Sequence, residues 1–150
     1  MKRTLVLVLG VLLSFSSVAA LARTGRHPPK AHAASFYTLN IVKTKAGEVL
    51  VNTSGSILYE FSRDPVKKDT CVRIKGCVKV WEPMPTTGND SAGPGVHASL
   101  ISTVKSLKQI TYAGHPLYIY VPAPTHVSAI GTKADGGYWY ALNAQGHPVK

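Results

Sequence analysis

Gly55-Ser56-Ile57-Leu58-Tyr59-Glu60-Phe61 is echoed by Gly114-His115-Pro116-Leu117-Tyr118-Ile119-Tyr120. Each stretch reads as a turn glycine, two spacers, a leucine, then tyrosine, any residue and an aromatic. A gapped self-match of this kind implies one structural unit used twice. Side chains on a strand alternate between faces, so Tyr59 and Phe61 share one face and Leu58 and Glu60 take the other. Upstream of the first copy, residues 37–42 alternate, and residues 48–51 follow a Lys45-Ala46-Gly47 turn. Thr53-Ser54-Gly55 then leads back into residues 57–61. Three short strands joined by glycine-containing turns predict an antiparallel meander. Around the second copy, residues 107–112 and 116–121 predict a hairpin about Ala113-Gly114-His115. Residues 138–142 (YWYAL) form the last expected strand.

The segment between the copies is different. Residues 63–76 are polar, lysine-rich and bounded by cysteines. Residues 77–81 fit a short helix or a strand, because periodicity cannot decide over so short a run. Pro83 and Pro85 end that run, residues 86–95 (TTGNDSAGPG) form a loop, and residues 96–104 fit no single pattern. Residues 122–136 read as a long, flexible stretch. No segment predicts a helix of ordinary length. The expected class is mainly β: a small antiparallel β domain built from two related Leu-Tyr-x-aromatic hairpin units, with one disulfide.

The N-terminus reads as an address. Lys2 and Arg3 precede an apolar run over residues 5–18, and small residues follow at Val18-Ala19-Ala20 and Ala20-Leu21-Ala22. This is the pattern of a cleaved signal peptide over residues 1–22. The run is shorter than the roughly 20 apolar residues of a spanning helix, and Ser14, Ser16 and Ser17 soften it, so no stable membrane span is expected after processing. Residues 23–35 (RTGRHPPKAHAAS) are basic and lack apolar periodicity, as a disordered tether does. Residues 36–150 then make one domain, within the usual range of about 100–150 residues. No cysteine lies near the cut to carry lipid. The expected location is secreted or extracytoplasmic, in a bacterial cell envelope.

The chain carries 17 lysines and arginines against 7 aspartates and glutamates, a formal charge of +10. Such an excess favours anionic surroundings. Nucleic-acid binding also needs aromatics interleaved with basic residues on one face, and no such block exists here. The expected partner is an anionic envelope polymer or glycan, with no nucleic acid.

Tyr59-Glu60-Phe61-Ser62-Arg63-Asp64 resembles the Tyr-x-(Phe/Trp/Tyr)-x-x-Asp signature of bacterial secreted-repeat proteins and predicted lipoproteins of unknown function. The family's Gly-x-x-Leu lead-in is matched at Gly55-Ser56-Ile57-Leu58. Its cysteine pair followed by Trp-Pro-Pro is approached by Cys71, Cys77 and Trp81-Glu82-Pro83. Gly95-Val96-His97-Ala98-Ser99-Leu100 is similar to its Gly-Val-Asp-Ala-Ser-Leu stretch, and residues 109–118 to its second repeat. Gly136-Gly137-Tyr138-Trp139-Tyr140 is similar to its C-terminal Gly-Gly-x-Trp-Tyr. The resemblance spans residues 36–145 and marks Tyr59, Phe61, Asp64, Leu117, Tyr118 and Tyr120 as motif residues. It implies an envelope or extracellular location and no particular activity. Two departures stand out: Ala123 replaces the acid in the second copy, and His97 stands where the family often has aspartate.

Cys71 and Cys77 are the only cysteines. In an exported protein an isolated close pair is most simply a disulfide, adding on the order of 2–3 kcal/mol in the chain-entropy model. The alternative is a redox pair with a thiolate favoured by cations such as Lys68, Arg73 and Lys75; neither Cys-x-x-Cys spacing nor a thioredoxin-like βαβ pattern accompanies it. His97, His115 and His126 are the candidate metal ligands of a runner-up reading as a metal- or redox-handling protein. Imidazole suits copper and zinc, yet no ligand spacing is present. Asp64 is expected to cap a turn. Trp81, Tyr138, Trp139 and Tyr140 form a candidate ligand platform, with a hydrophobic core as the competing role for the aromatics. No nucleophile elbow or phosphate loop is present, so the expectation is a non-catalytic binding module with no cofactor.

Overall fold

The computed structural model describes residues 38–150. The expected signal peptide over 1–22, the tether over 23–35, Phe36 and Tyr37 lie outside the described residues. The fold is mainly β, as expected, and its sheets are antiparallel. The only α-helix among the described residues is a single turn, Cys77–Val80.

Strands β1 (Leu39–Thr44) and β2 (Gly47–Asn52) pair in register from Leu39↔Asn52 to Thr44↔Gly47. The next strand, β3 (Leu58–Phe61), departs from the expected meander. It meets β2 only through an isolated bridge, Val51↔Ile57. Asn52 holds the turn, its side-chain oxygen accepting the N–H groups of Ser54 (3.0 Å) and Ser56 (2.8 Å). The Asn52 N–H donates to Ser56 O at 3.0 Å, so the Ile57 N–H points away from β2 and donates to Pro124 O at 2.7 Å. All four β3 side chains are buried, so this strand needs neighbours on both edges and cover on both faces.

The chain continues through a 3-10 turn (Cys71–Arg73), helix α1 (Cys77–Val80) and β4 (Trp81–Pro83). The undecided run at residues 77–81 is therefore a helical turn that hands over to a strand at Trp81. A 3-10 turn, Ala98–Leu100, precedes β5 (Ile101–Val104). β6 (Gln109–Tyr112) and β7 (His115–Pro116) make the expected turn, with positive φ at Ala113 (50°) and Gly114 (87°). Two positive-φ central residues are the geometry of a type I′ hairpin.

The hairpin is shorter than expected. Its ladder ends after Thr111↔Pro116, and β8 (Tyr118–Tyr120) joins a different sheet. Met84 is the cause. Its N–H donates to Leu117 O (2.8 Å) and its carbonyl accepts the Ile110 N–H (2.9 Å). It thus occupies two of the groups that the next hairpin pair would share.

Residues 122–136, expected as one flexible stretch, hold a 3-10 turn (Val127–Ala129) and strand β9 (Thr132–Ala134). β9 pairs with β10 (Gly137–Leu142), and β11 (Pro148–Val149) follows it along the same edge of β10, opposite β3. The main sheet runs β11-β10-β3-β8-β4, with β9 also on β10; β5, β6 and β7 form a separate three-stranded sheet. Gly137 is required where β10 crosses β3. A Cβ there would lie 2.7 Å from a Phe61 ring carbon and 2.8 Å from Arg63 Cγ.

The echoing segments lie side by side: Leu58 pairs with Ile119 and Tyr59 with Tyr118. The predicted alternation holds. Tyr59 and Phe61 enter one core with Trp81, Tyr118, Trp139 and the two cysteines. Leu58 enters a second core with Leu39, Leu50, Ile110, Tyr112, Leu117 and Leu142. Within the first, Trp139 stacks on Trp81 (centroids 3.9 Å apart) and on Phe61 (4.2 Å), and meets Tyr118 edge-on (5.1 Å). Such ring pairs add roughly 0.5–1.5 kcal/mol each beyond area burial.

Candidate functional site

Two of the motif residues, Asp64 and Tyr118, meet in a polar cluster at the end of β3. Asp64 follows the strand, its N–H donating to Phe61 O at 2.9 Å. Its Oδ1 accepts the Thr70 N–H (2.8 Å) and the Thr70 hydroxyl (2.5 Å), which ties the start of the disulfide loop to the sheet. Its Oδ2 accepts the phenol of Tyr118 at 2.6 Å. Asp64 therefore caps its loop, as expected of a turn aspartate, and also answers a tyrosine from the second echo. Burial raises its pKa, outweighing the hydrogen bonds from Thr70 and Tyr118. Burial, followed by the bond to Asp64, raises the Tyr118 phenol strongly.

The equivalent phenol of the first echo is handled differently. Tyr59 donates to a backbone carbonyl, His126 O, at 3.0 Å. Burial pushes its pKa up to about 12. Tyr112 links the C-terminal segment to residue 97, donating to Ala144 O (2.6 Å) and accepting the His97 N–H (3.0 Å). Burial raises its pKa as well.

The histidines do not share a site. His97 and His126 are exposed, on the segments before the 3-10 turns at 98–100 and 127–129. His115 lies at the β6–β7 turn, where Nδ1 is 3.2 Å from the buried Glu60 carboxylate. The bond to Glu60 raises its pKa against an opposing effect of burial. Among the described residues, no group of three or more His, Cys, Asp or Glu is placed to hold a metal ion. Cys71 and Cys77 form the expected disulfide, Cα atoms 5.4 Å apart, with both residues buried in the first core. Lys68, Arg73 and Lys75 remain exposed around that loop.

The candidate platform divides in two. Trp81 and Trp139 are interior, at 1 % and 0 % exposure, and offer no surface to a ligand. Tyr120 is half-buried beside Trp81, their centroids 4.8 Å apart. Tyr138 and Tyr140 point to the opposite face of β10. Their rings are nearly parallel, 18° between planes, with centroids 6.1 Å apart. Lys133 Nζ stands 5.9 Å from the Tyr138 ring centre and Lys150 Nζ 6.0 Å from that of Tyr140. Lys133 is brought there by register, since the β9–β10 hairpin sets it opposite Tyr138. Ser62 fixes the strand below, accepting the Tyr138 N–H (2.8 Å) and donating its own N–H to Tyr138 O (2.9 Å).

Sequence reasoning missed both lysines. A hairpin signal existed in Asp135-Gly136, a type I′ dipeptide with φ of 56° and 79°, which sets Lys133 across from Tyr138. The same period of two would have separated Trp139 from its neighbours. Lys150 follows β11, which a second local turn sets against β10: Asn143 Oδ1 accepts the N–H groups of Gln145 (3.0 Å) and His147 (2.9 Å), and Gly146 holds a φ of 79°. Among the described residues, no helix is long and apolar enough to cross a membrane. No family model matches the chain, nor does any curated protein or solved structure.

Proposed function

We propose that this chain is an exported, non-catalytic binding module for an acidic glycan of the cell envelope, and that the outer face of β10 receives it. The observation that carries this reading is the pair Tyr138 and Tyr140, exposed or half-buried on a paired strand, each ring with a lysine ammonium beside it. Phenol rings offer an apolar face for the C–H side of a sugar and a hydroxyl for its polar rim. The lysines match the carboxylates or phosphates of an acidic polymer. Glu60, the cross-strand neighbour of Tyr140, is engaged by His115 and offsets little of that charge. The paired strand holds both rings in place before a ligand arrives, which reduces the ordering cost of binding. The signal-like N-terminus, the basic balance and the resemblance to secreted-repeat proteins support the same address.

The test removes the rings without changing the charge. The purified protein is expected to bind polygalacturonate and to ignore neutral dextran. The double variant Tyr138→Ala, Tyr140→Ala should lose at least about tenfold in affinity, equivalent to about 1.4 kcal/mol. Retention of full affinity by that variant would reduce the interaction to plain ion exchange and overturn the proposal. Stoichiometric bound metal or two titrating thiols would turn it toward metal or redox handling.

A further inference from the structure

We infer that the cleft between the disulfide loop and the β5–β6 turn is a separate site for a small amphipathic anion, a carboxylate or phosphate carried on an apolar body. The cleft encloses about 500 Å³, within the roughly 300–1,000 Å³ typical of small-molecule sites. Residues 65–73 form one wall and residues 104–107 the other.

Its chemistry is two-sided. Lys67, Lys68 and Arg73 line it, all exposed, and none has a carboxylate partner among the described residues. The one acid in the lining, Asp69, is 6 % exposed, and its Oδ1 is taken by the Val72 N–H at 3.0 Å. The field in the cleft is therefore set by three cations around a single buried carboxylate. Val72 and Leu107 both line the cleft, one from each wall, and each is 43 % exposed. Large apolar side chains left open beside unpaired cations describe a ligand with an apolar part and a negative one. A bare inorganic anion would leave Val72 and Leu107 wet, and a neutral lipid would leave the cations unmatched.

The walls are also built before binding. Lys67 holds a positive φ of 56°, uncommon for a non-glycine residue, and its N–H donates to Gly114 O at 2.8 Å. The Lys68 N–H donates to Pro65 O (2.9 Å) and the Arg73 N–H to Thr70 O (3.0 Å). The disulfide braces the loop at Cys71, beside Val72 and Arg73. The cationic backbone positions are thus fixed, and little ordering remains to be done when a ligand enters. This site shares no residue with the Tyr138–Tyr140 face, so either can fail without the other.

The experiment is an amide NMR titration of the purified protein with octanoate and with octyl phosphate, below micelle formation. Acetate and 1-octanol are the half-ligand controls. Saturable shifts confined to residues 65–73 and 104–107, with both controls at least about tenfold weaker, are expected. Lys68→Glu combined with Arg73→Glu should abolish them, and Leu107→Ser should weaken them about tenfold, with the remaining amide spectrum unchanged. Saturation by octanoate alone or by octyl phosphate alone would name the head group and support the site. Absence of saturation with both, equal binding of acetate or octanol, or shifts centred on Tyr138 and Tyr140 would overturn it.

Discussion

Tyr59 and Tyr118 pair with each other across β3 and β8, each buried, each at the same place in its echo. Their hydroxyls meet different fates. Tyr118 donates to a carboxylate, Asp64, which belongs to the first echo. Tyr59 donates to the backbone at His126, three residues beyond Ala123, where the second echo lacks its acid. A backbone carbonyl has replaced a side-chain acceptor, so one aspartate suffices. The comparison teaches that an acid missing from a repeated motif need not leave its partner unsatisfied. It also ties the disulfide loop to both echoes, since Asp64 accepts the Thr70 N–H and hydroxyl while Gly114 O accepts the Lys67 N–H.

The largest expected effect comes from deleting that acid. Asp64→Ala leaves the buried Tyr118 hydroxyl and the Thr70 donors without their acceptor, and each stranded buried group costs roughly 1–3 kcal/mol. A loss of about 3 kcal/mol in urea unfolding is expected, partly offset because a desolvated charge also disappears. An unchanged midpoint would show that the Asp64 bonds are decorative.

The next contrast sets the two hydroxyls against each other. Tyr118→Phe removes a bond to a charged group and should cost about 2 kcal/mol; Tyr59→Phe removes one to a neutral carbonyl and should cost about 1 kcal/mol. Equal costs in parallel denaturation curves would erase the difference between the echoes.

The smallest effect concerns His115, in the lead-in of the second echo, against Glu60 in the first. The folded-state pKa of His115 is raised. The stability it contributes is therefore fully present below the unfolded value of about 6.5 and is lost as pH rises through the folded value. His115 is 36 % exposed, so solvent screening keeps the gain small. The difference in stability between the protein and His115→Gln should shrink between about pH 6 and pH 8. A difference that grows over that window would contradict the ion pair. Asp64 and Glu60 are the acids that act on this imidazole.

Much of the fold could be read locally. The alternation at residues 58–61 put Tyr59 and Phe61 on one face and Leu58 on the other, faces that the structure buries in separate cores, and Ala113-Gly114 marked a hairpin turn. The meander failed at β3 because that strand meets β2 only at Val51↔Ile57 and takes β8 and β10, far along the chain, as its ladder partners. The second hairpin was cut short by Met84, which no pattern near residue 117 announces. Of the candidate platform, Tyr138 and Tyr140 stay outside while Trp81 and Trp139 fill the interior. The cleft escaped notice because its walls, residues 65–73 and 104–107, are distant in sequence and neither carries a motif.

The amino-acid order alone determined the mainly β class, the faces of the first echo and the close cysteine pair. Side-chain period and turn preference are properties of a few consecutive residues. Tertiary structure decided which strands are neighbours, which rings are covered, and that Asp64 serves Tyr118. Those outcomes depend on which distant backbone groups and apolar surfaces find each other, and hydrogen bonding and burial are satisfied over the whole domain rather than within a window of sequence.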